Sequence, residues 1–76
     1  MVIKVYGPGC PKCEQAEAAV RAAVARAAVN ADVQKITDFQ EIAQDGVFST
    51  PAVSVDGEVK ASGRAPSEDE VLSWIS

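Results

Sequence analysis

Hydrophobic positions recur along the chain with two different periods, and the change between them divides the sequence into strands and helices. Residues 2–6 are β-branched and aromatic with one charge, and the Gly-Pro-Gly that follows stops them, which predicts a central strand. From Pro11 to Val29 the apolar residues are spaced three and four apart, which predicts a long helix with one buried face. Pro11 suits the first helical position, where no backbone donor is needed, and we expect Asn30 to close the helix.

The middle of the chain is predicted to form an edge strand and a short helix. Residues 31–37 alternate only weakly between apolar and polar types, as a half-exposed edge strand does. Thr37 and Asp38 are candidate caps for a helix that stops at Gly46, and a loop over 47–51 follows. Three residues of this helix are expected to face inward: Phe39, Ile42 and Ala43.

The last third of the chain carries the clearest local signal. Over residues 52–61 apolar residues alternate on both sides of Asp56-Gly57, which is typical of a tight hairpin with a primed turn. Further on, Ser67 with Glu70 forms the pattern of a capping box and predicts a final helix. Its inner face is expected to consist of Val71, Leu72 and Ile75.

The predicted element order is βαβαββα, in a single domain that covers residues 1–76. A strand–helix–strand unit needs a parallel crossover, and the hairpin completes a four-stranded mixed sheet, so we predict an α/β fold with helices on both faces. The composition is 47% hydrophobic, mostly Ala and Val with few bulky side chains. This favours thin layers in close contact over a large pocket.

Charge and hydropathy limit the partners and the location that we expect. The net charge is −4, and the basic residues are scattered without a run or stripe, which makes nucleic acid and anionic membranes poor candidates. No apolar run approaches the roughly 20 residues of a membrane span. The first residues lack the pattern of a signal peptide, so we expect a cytoplasmic monomer whose thiols are kept mostly reduced.

Cys10 and Cys13 are the two cysteines of the chain, and three kinds of chemistry are open to such a pair. A structural zinc ion needs four ligands, and the chain has no histidine, although a soft ion held by two thiolates stays possible. A structural disulfide would close a four-residue loop and contribute only about 2 kcal/mol. The third possibility is thiol–disulfide exchange.

The positions of the two cysteines favour exchange. Cys10 lies just before Pro11, at the N-terminus of the helix, where unpaired N–H groups and the helix dipole stabilise a thiolate. Lys12 either adds a positive charge nearby or is simply solvated. Cys13 falls one turn into the helix on its apolar face. We therefore predict an exposed, reactive Cys10 with a pKa below the ~8.5 of a free cysteine, and a shielded Cys13.

These motifs resemble those of a known family. A strand, Gly-Pro-Gly-Cys-Pro-Lys-Cys, a helix, and Ser-Thr-Pro before a hairpin look like the thioredoxin-like fold, and more closely like the small prokaryotic redox-active disulfide proteins of glutaredoxin size. The resemblance covers nearly the whole chain. Its specific parts are Cys10-Pro11-Lys12-Cys13 and Thr50-Pro51.

The resemblance implies a role for each matching residue. Cys10 would be the nucleophile and Cys13 would resolve the mixed disulfide. Pro51 would be cis and lie against the cysteines, Thr50 would offer its backbone to an extended substrate, and Gly63 would line the same groove. For Gly63 the alternative is a plain strand terminator. The resemblance further implies protein disulfide substrates, a separate reductase, and no metal or organic cofactor.

Two positions depart from the thioredoxin pattern, and a third, Tyr6, is open to two interpretations. Thioredoxins have a tryptophan where this chain has Gly9, and a buried carboxylate where it has Lys4, which we expect to be an ordinary snorkelling residue. Tyr6 either shelters the dithiol or is a core residue with its hydroxyl at the rim. The favoured function is thiol–disulfide exchange with protein disulfides, and the alternative is a module that binds a soft metal ion or docks a partner without turnover.

Overall fold

Three helices and four strands follow one another in the predicted order in the computed structural model, which describes all residues from 1 to 76. The elements are β1 (Val2–Tyr6), α1 (Pro11–Ala27), β2 (Asp32–Ile36), α2 (Phe39–Gln44), β3 (Ala52–Val55), β4 (Glu58–Ser62) and α3 (Glu68–Ile75). None of the helices combines the length and apolar character that crossing a bilayer requires.

The strands form the predicted four-stranded mixed sheet, and their order is β2-β1-β3-β4. β1 is central, parallel to the edge strand β2 and antiparallel to β3. β3 and β4 form the predicted hairpin, in which Asp56 and Gly57 both have positive φ, as a primed turn requires. The register places the last residue of β1, the first residue of β3 and the last residue of β4 side by side at one end of the strands.

One face of the sheet is covered by α1 and α3, and this layer holds the larger core. Its buried residues are Ile3, Val5, Ala16, Val20, Ala23, Val53, Val55, Val71 and Ile75. They come from alternate strand positions and from helix positions three and four apart, because these spacings place side chains on one face. The predicted capping box begins α3, with reciprocal bonds between Ser67 and Glu70.

The opposite face is covered only by α2 and its flanking loop. Tyr6, Ile42, Val47 and Ala52 form a small buried cluster there, against the half-buried Ile36. The prediction that Phe39 and Ala43 face inward is wrong, since Phe39 is 70% exposed and Ala43 is also exposed. A six-residue helix has fewer than two turns, so it presents Ile42 to the sheet and the following loop supplies Val47.

The end of α1 also differs from the expectation. The helix ends at Ala27, not at Val29, and Ala28 caps it in the left-handed conformation with φ 53°. The chain turns back early because β2 must start beside Met1, whose carbonyl accepts a hydrogen bond from Asp32 at 2.9 Å. Tertiary pairing thus overrides the helix propensity of the last residues.

Candidate active site

The two cysteines lie at the start of α1, directly beyond the loop that leaves the central strand. Cys10 is the N-cap residue, and Pro11 takes the first helical position. The Cys10 Sγ accepts a hydrogen bond from the backbone N–H of Cys13 at 3.4 Å. The two sulfur atoms lie 2.7 Å apart as free thiols, close enough for one to donate a hydrogen bond to the other.

The two thiols differ in exposure and in acidity, as predicted. Cys13 is 1% exposed, whereas the Cys10 side chain is partly exposed. The pKa of Cys10 is lowered, first by a hydrogen bond from the Cys13 side chain and then by the Cys13 backbone N–H. Burial raises the pKa of Cys13, and its hydrogen bond to Cys10 raises it further. One thiol is thus set up to ionise and the other to hold its proton.

Lys12 is exposed beside the dithiol, like Pro11. The backbone N–H of Lys12 contributes to the low pKa of Cys10, after the contributions of Cys13. The backbone donors at the N-terminus of α1 therefore add to the hydrogen bond of the Cys13 side chain in lowering the pKa of Cys10.

Gly7 creates the space in which Cys13 is buried. A Cβ at position 7 would collide with the Cys13 Sγ and would lie 3.0 Å from the Cys13 Cβ. The Gly7 N–H donates to the Ile36 carbonyl at 2.9 Å, which holds this backbone at the end of β1. From the sequence, Gly7 was expected only to stop the strand. Its position between a strand and a Cys-x-x-Cys motif was the available signal.

The loop before β3 brings Thr50 and Pro51 to the same place. The Thr50 Cβ lies 3.9 Å from the point that a Gly7 Cβ would occupy, so Thr50 adjoins the dithiol. Pro51 is buried, and the predicted cis bond between Thr50 and Pro51 is confirmed. Gly63 lies against this loop, because its N–H donates to the Pro51 carbonyl at 2.9 Å. Gly63 therefore both follows the last residue of β4 and contacts the loop.

Tyr6 is 1% exposed and packs in the cluster on the α2 side. Its hydroxyl donates to the Asp45 carboxylate at 2.7 Å and lies 3.0 Å from the Ser54 Oγ. Burial is the main cause that raises the pKa of Tyr6. Tyr6 is thus a core residue, and its hydroxyl bonds to Asp45 and Ser54 and to neither cysteine.

Lys4 forms an ion pair with the same carboxylate, with 3.1 Å between its Nζ and the Asp45 Oδ2. The lysine that we expected to be an ordinary snorkelling residue thus has its ammonium group paired with a carboxylate at the surface. Hydrogen bonds from Tyr6 and then from Lys4 lower the pKa of Asp45. Asp45 was not predicted as part of this group, because it follows the last residue of α2 and meets β1 only through the fold.

Within the chain, no three His, Cys, Asp or Glu side chains are grouped so that they could hold a metal ion. The two thiols are thus the only soft ligands at the site.

The whole chain matches known sequences. A family model described as a thioredoxin domain matches residues 1–76. The chain is 36% identical over 76 residues to a protein named thioredoxin from Methanothermobacter thermautotrophicus. The matched region is all of this chain and 99% of that relative. It is 41% identical over 71 residues to a protein named thioredoxin from Methanocaldococcus jannaschii. The matched region is 93% of this chain and 81% of that relative.

Proposed function

Since this chain belongs to the thioredoxin domain family and is a thiol–disulfide oxidoreductase, we propose that it reduces disulfides in protein partners through Cys10 and Cys13. The observation that carries the proposal is the asymmetry of the pair. Cys10 is accessible with a lowered pKa, and Cys13 is buried with a raised one. A nucleophile must ionise and reach its target, whereas a resolving thiol must stay protected until the mixed disulfide forms.

The reaction needs two exchange steps. The Cys10 thiolate attacks one sulfur of the partner's disulfide, a Cys10–partner disulfide forms, and the other partner sulfur leaves as a thiolate that takes up a proton. Cys13 then loses its proton and attacks the Cys10 sulfur, which releases the second partner thiol and leaves a Cys10–Cys13 disulfide. A reductase protein or a small thiol must return two electrons and two protons to complete the cycle.

The residues around the dithiol support substrate binding. Thr50 adjoins Gly7 and Cys13, and its backbone is proposed to pair with an extended segment of the partner. Pro51 presents a compact apolar ring without an N–H group, and Gly63 holds the Pro51 carbonyl. Pro11 and Lys12 support the nucleophile through the start of α1, and Tyr6 supports the strand that leads to the site.

The proposal includes a cytoplasmic monomer that works without a metal or an organic cofactor. Partner disulfides and an electron donor are then the only other reactants. The acidic net charge of −4 agrees with partners other than nucleic acid or anionic membranes.

Trapping tests the assigned roles. Cys13→Ser should accumulate a disulfide between Cys10 and the partner, because the resolving thiol is gone, and Cys10→Ser should accumulate none. Mass spectrometry of non-reduced peptides identifies the trapped bond. Alkylation of the reduced protein should modify Cys10 first, with a rate that rises with pH and levels off below the ~8.5 of a free thiol.

Two results would contradict the proposal. Faster alkylation at Cys13 than at Cys10 would reverse the roles. Tight one-to-one retention of zinc or copper by the reduced protein, with no loss and recovery of two thiols on oxidation and reduction, would favour the metal-binding alternative.

A further inference from the structure

Gly7 lies so close to the sulfur of Cys13 that no side chain fits between them. A Cβ at position 7 would collide with the Cys13 Sγ, and it would also lie 3.0 Å from the Cys13 Cβ and 3.9 Å from the Thr50 Cβ. Of the five glycines in the chain, Gly7 is the one at which an added Cβ would collide with another atom. The lack of a side chain at position 7 therefore belongs to the cysteine site.

The backbone on the Gly7 side of this contact is held in place. The Gly7 N–H donates to the Ile36 carbonyl at 2.9 Å, which extends the pairing of β1 with β2 by one hydrogen bond. The preceding residue, Tyr6, is buried in the cluster under α2. Moving Gly7 away from Cys13 would break the hydrogen bond and disturb this cluster, and both changes are unfavourable.

The helix on the other side of the contact is held as well. Cys13 is followed along the buried face of α1 by Ala16 and Val20, which are fully buried in the larger core. Moving this end of α1 away from Gly7 would open a gap in close packing, which is costly. A side chain at position 7 would therefore have to displace the Cys13 sulfur itself. Because non-bonded heavy atoms separate to about 3.5 Å, the sulfur would move by about 1 Å or more.

The place that the sulfur now occupies suits the resolving step. The Cys13 Sγ lies 2.7 Å from the Cys10 Sγ, the atom that it must attack. Burial raises the pKa of Cys13, but the backbone N–H groups of Cys10 and Gly9 act in the opposite direction, so donors are present for the thiolate that forms there. A displaced sulfur would leave these groups. In a helix it also has few other positions, because the preceding turn blocks one of the three staggered rotamers.

We infer that Gly7 is a positioning residue for the second exchange step, because the space that it leaves keeps the Cys13 sulfur beside Cys10. This inference rests on the proposed roles of the two cysteines. In that step Cys13 gives its proton to water and its sulfur bonds to the Cys10 sulfur. The bond between Cys10 and the partner breaks, and the partner sulfur leaves with the electron pair and takes up a proton. The first step does not use the Cys13 sulfur as a reactant, so Gly7 should affect the second step selectively.

Reaction with the chromogenic disulfide dithiobis(nitrobenzoate) separates the two steps. With the reduced protein in excess, one coloured thiolate is released when Cys10 forms the mixed disulfide, and a second is released when Cys13 resolves it. At a pH where Cys10 is ionised in every variant, Gly7→Ala should slow the second release about tenfold to a hundredfold, as a displacement of about 1 Å does. The first release should stay within about twofold of the wild type.

Two further variants serve as controls. Gly46 also has a positive φ, of 79°, but a Cβ there would meet nothing within 4 Å. Gly46→Ala therefore replaces a positive-φ glycine without contacting Cys13, and both releases should keep their wild-type rates. Cys13→Ser has no resolving thiol, so it should lose the second release that is independent of protein concentration.

Thermal unfolding of the reduced proteins tests the contact itself. Gly7→Ala should lower the Tm of the wild type more than it lowers the Tm of Cys13→Ala, because alanine at position 13 lacks the colliding sulfur. If Gly7→Ala alone does not fold, the combination with Cys13→Ala should fold, which would show that the sulfur is what a side chain at position 7 displaces.

Three outcomes overturn the inference while leaving the proposed function intact: a second release at the wild-type rate in Gly7→Ala, an equal slowing of both releases, or an equal loss of stability with and without the Cys13 sulfur. A wild-type protein without a second release that is independent of protein concentration would overturn the proposed function itself, because Cys13 would then not resolve the mixed disulfide. The inference would fall with it.

Discussion

The face of the sheet under α1 and α3 differs from the face under α2 in what fills it. Nine buried apolar residues pack on the first face, and its two helices have 17 and 8 residues. On the second face, a six-residue helix covers a cluster of four buried residues. A polar group of Tyr6, Ser54, Lys4 and Asp45 adjoins that cluster.

This difference separates the part of the molecule that holds most of the core from the part that we propose to contact a partner. The face under α1 and α3 supports the helix that carries the cysteines, so close packing there fixes Cys10 and Cys13. The face under α2, called here the thin face, carries the loop with Thr50 and the buried Pro51, and we propose that the Thr50 backbone pairs with a partner there. Hydrogen bonds, rather than a large core, hold this loop in place.

The largest expected effect on stability comes from the face under α1 and α3, called here the packed face. Ile3→Ala removes a fully buried side chain and should lower the free energy of unfolding by about 2–5 kcal/mol. This is a large fraction of the about 4–11 kcal/mol typical of a domain of this size. Urea unfolding measures it. Ile42→Ala, on the thin face, is the control with a smaller expected loss, since fewer groups surround it. Equal losses would contradict the contrast between the faces.

The sequence predicted the packed face well and the thin face poorly. The spacing in α1 and the capping box of α3 are local patterns, and the two helices that they predicted are confirmed, as is the thioredoxin-like fold that the family resemblance implied. On the thin face, Phe39 was expected to face inward, but it is exposed. The prediction failed because a short helix has too few turns for the spacing of apolar residues to define its buried face. Asp45 was missed because its partners are on β1, about forty residues away in sequence.

The same reasoning applies to the site. Cys10, Cys13 and the Thr50–Pro51 bond were predicted from motifs, and the structure brings them together. The role of Gly7 follows from the fold, because a Cβ at this position would collide with the Cys13 Sγ, and its only sequence signal was its place between a strand and the Cys-x-x-Cys motif. Tyr6 was left between two interpretations until the fold showed that its hydroxyl bonds to Asp45 and Ser54.

A smaller effect is expected from the polar group of the thin face. Ser54 is 1% exposed, and its hydroxyl bonds to that of Tyr6. Tyr6→Phe removes this partner and the bond to Asp45, so it should destabilise the protein by about 1–3 kcal/mol, as an unsatisfied buried polar group does. Adding Ser54→Ala to Tyr6→Phe should recover part of the loss. A double-mutant cycle in urea measures the coupling free energy between Tyr6 and Ser54. If the losses in unfolding free energy were strictly additive, the hydrogen bond would contribute nothing to stability.

The smallest expected effect is the response to acid, which compares one carboxylate from each face. Hydrogen bonds from Tyr6 and Lys4 lower the pKa of Asp45 on the thin face. On α3, hydrogen bonds from Arg64 and from the Ser67 backbone lower the pKa of Glu70 to about 2. Because both values are lower in the folded protein than in the unfolded chain, the unfolded chain binds more protons in acid. The stabilisation is therefore present above about pH 5 and is lost as the pH falls towards 2.

Glu70→Gln and Asp45→Asn should each flatten this decline. Each variant should be less stable than the wild type at pH 7, and the difference should narrow as the pH falls towards 2 and the wild-type carboxylates take up protons. Both groups are exposed to solvent, so the differences at pH 7 should shrink as salt is added. Thermal unfolding across this pH range, at low and high salt, measures the change. A stability gap that persists unchanged at pH 2 would mean that the lost contact was steric rather than ionic.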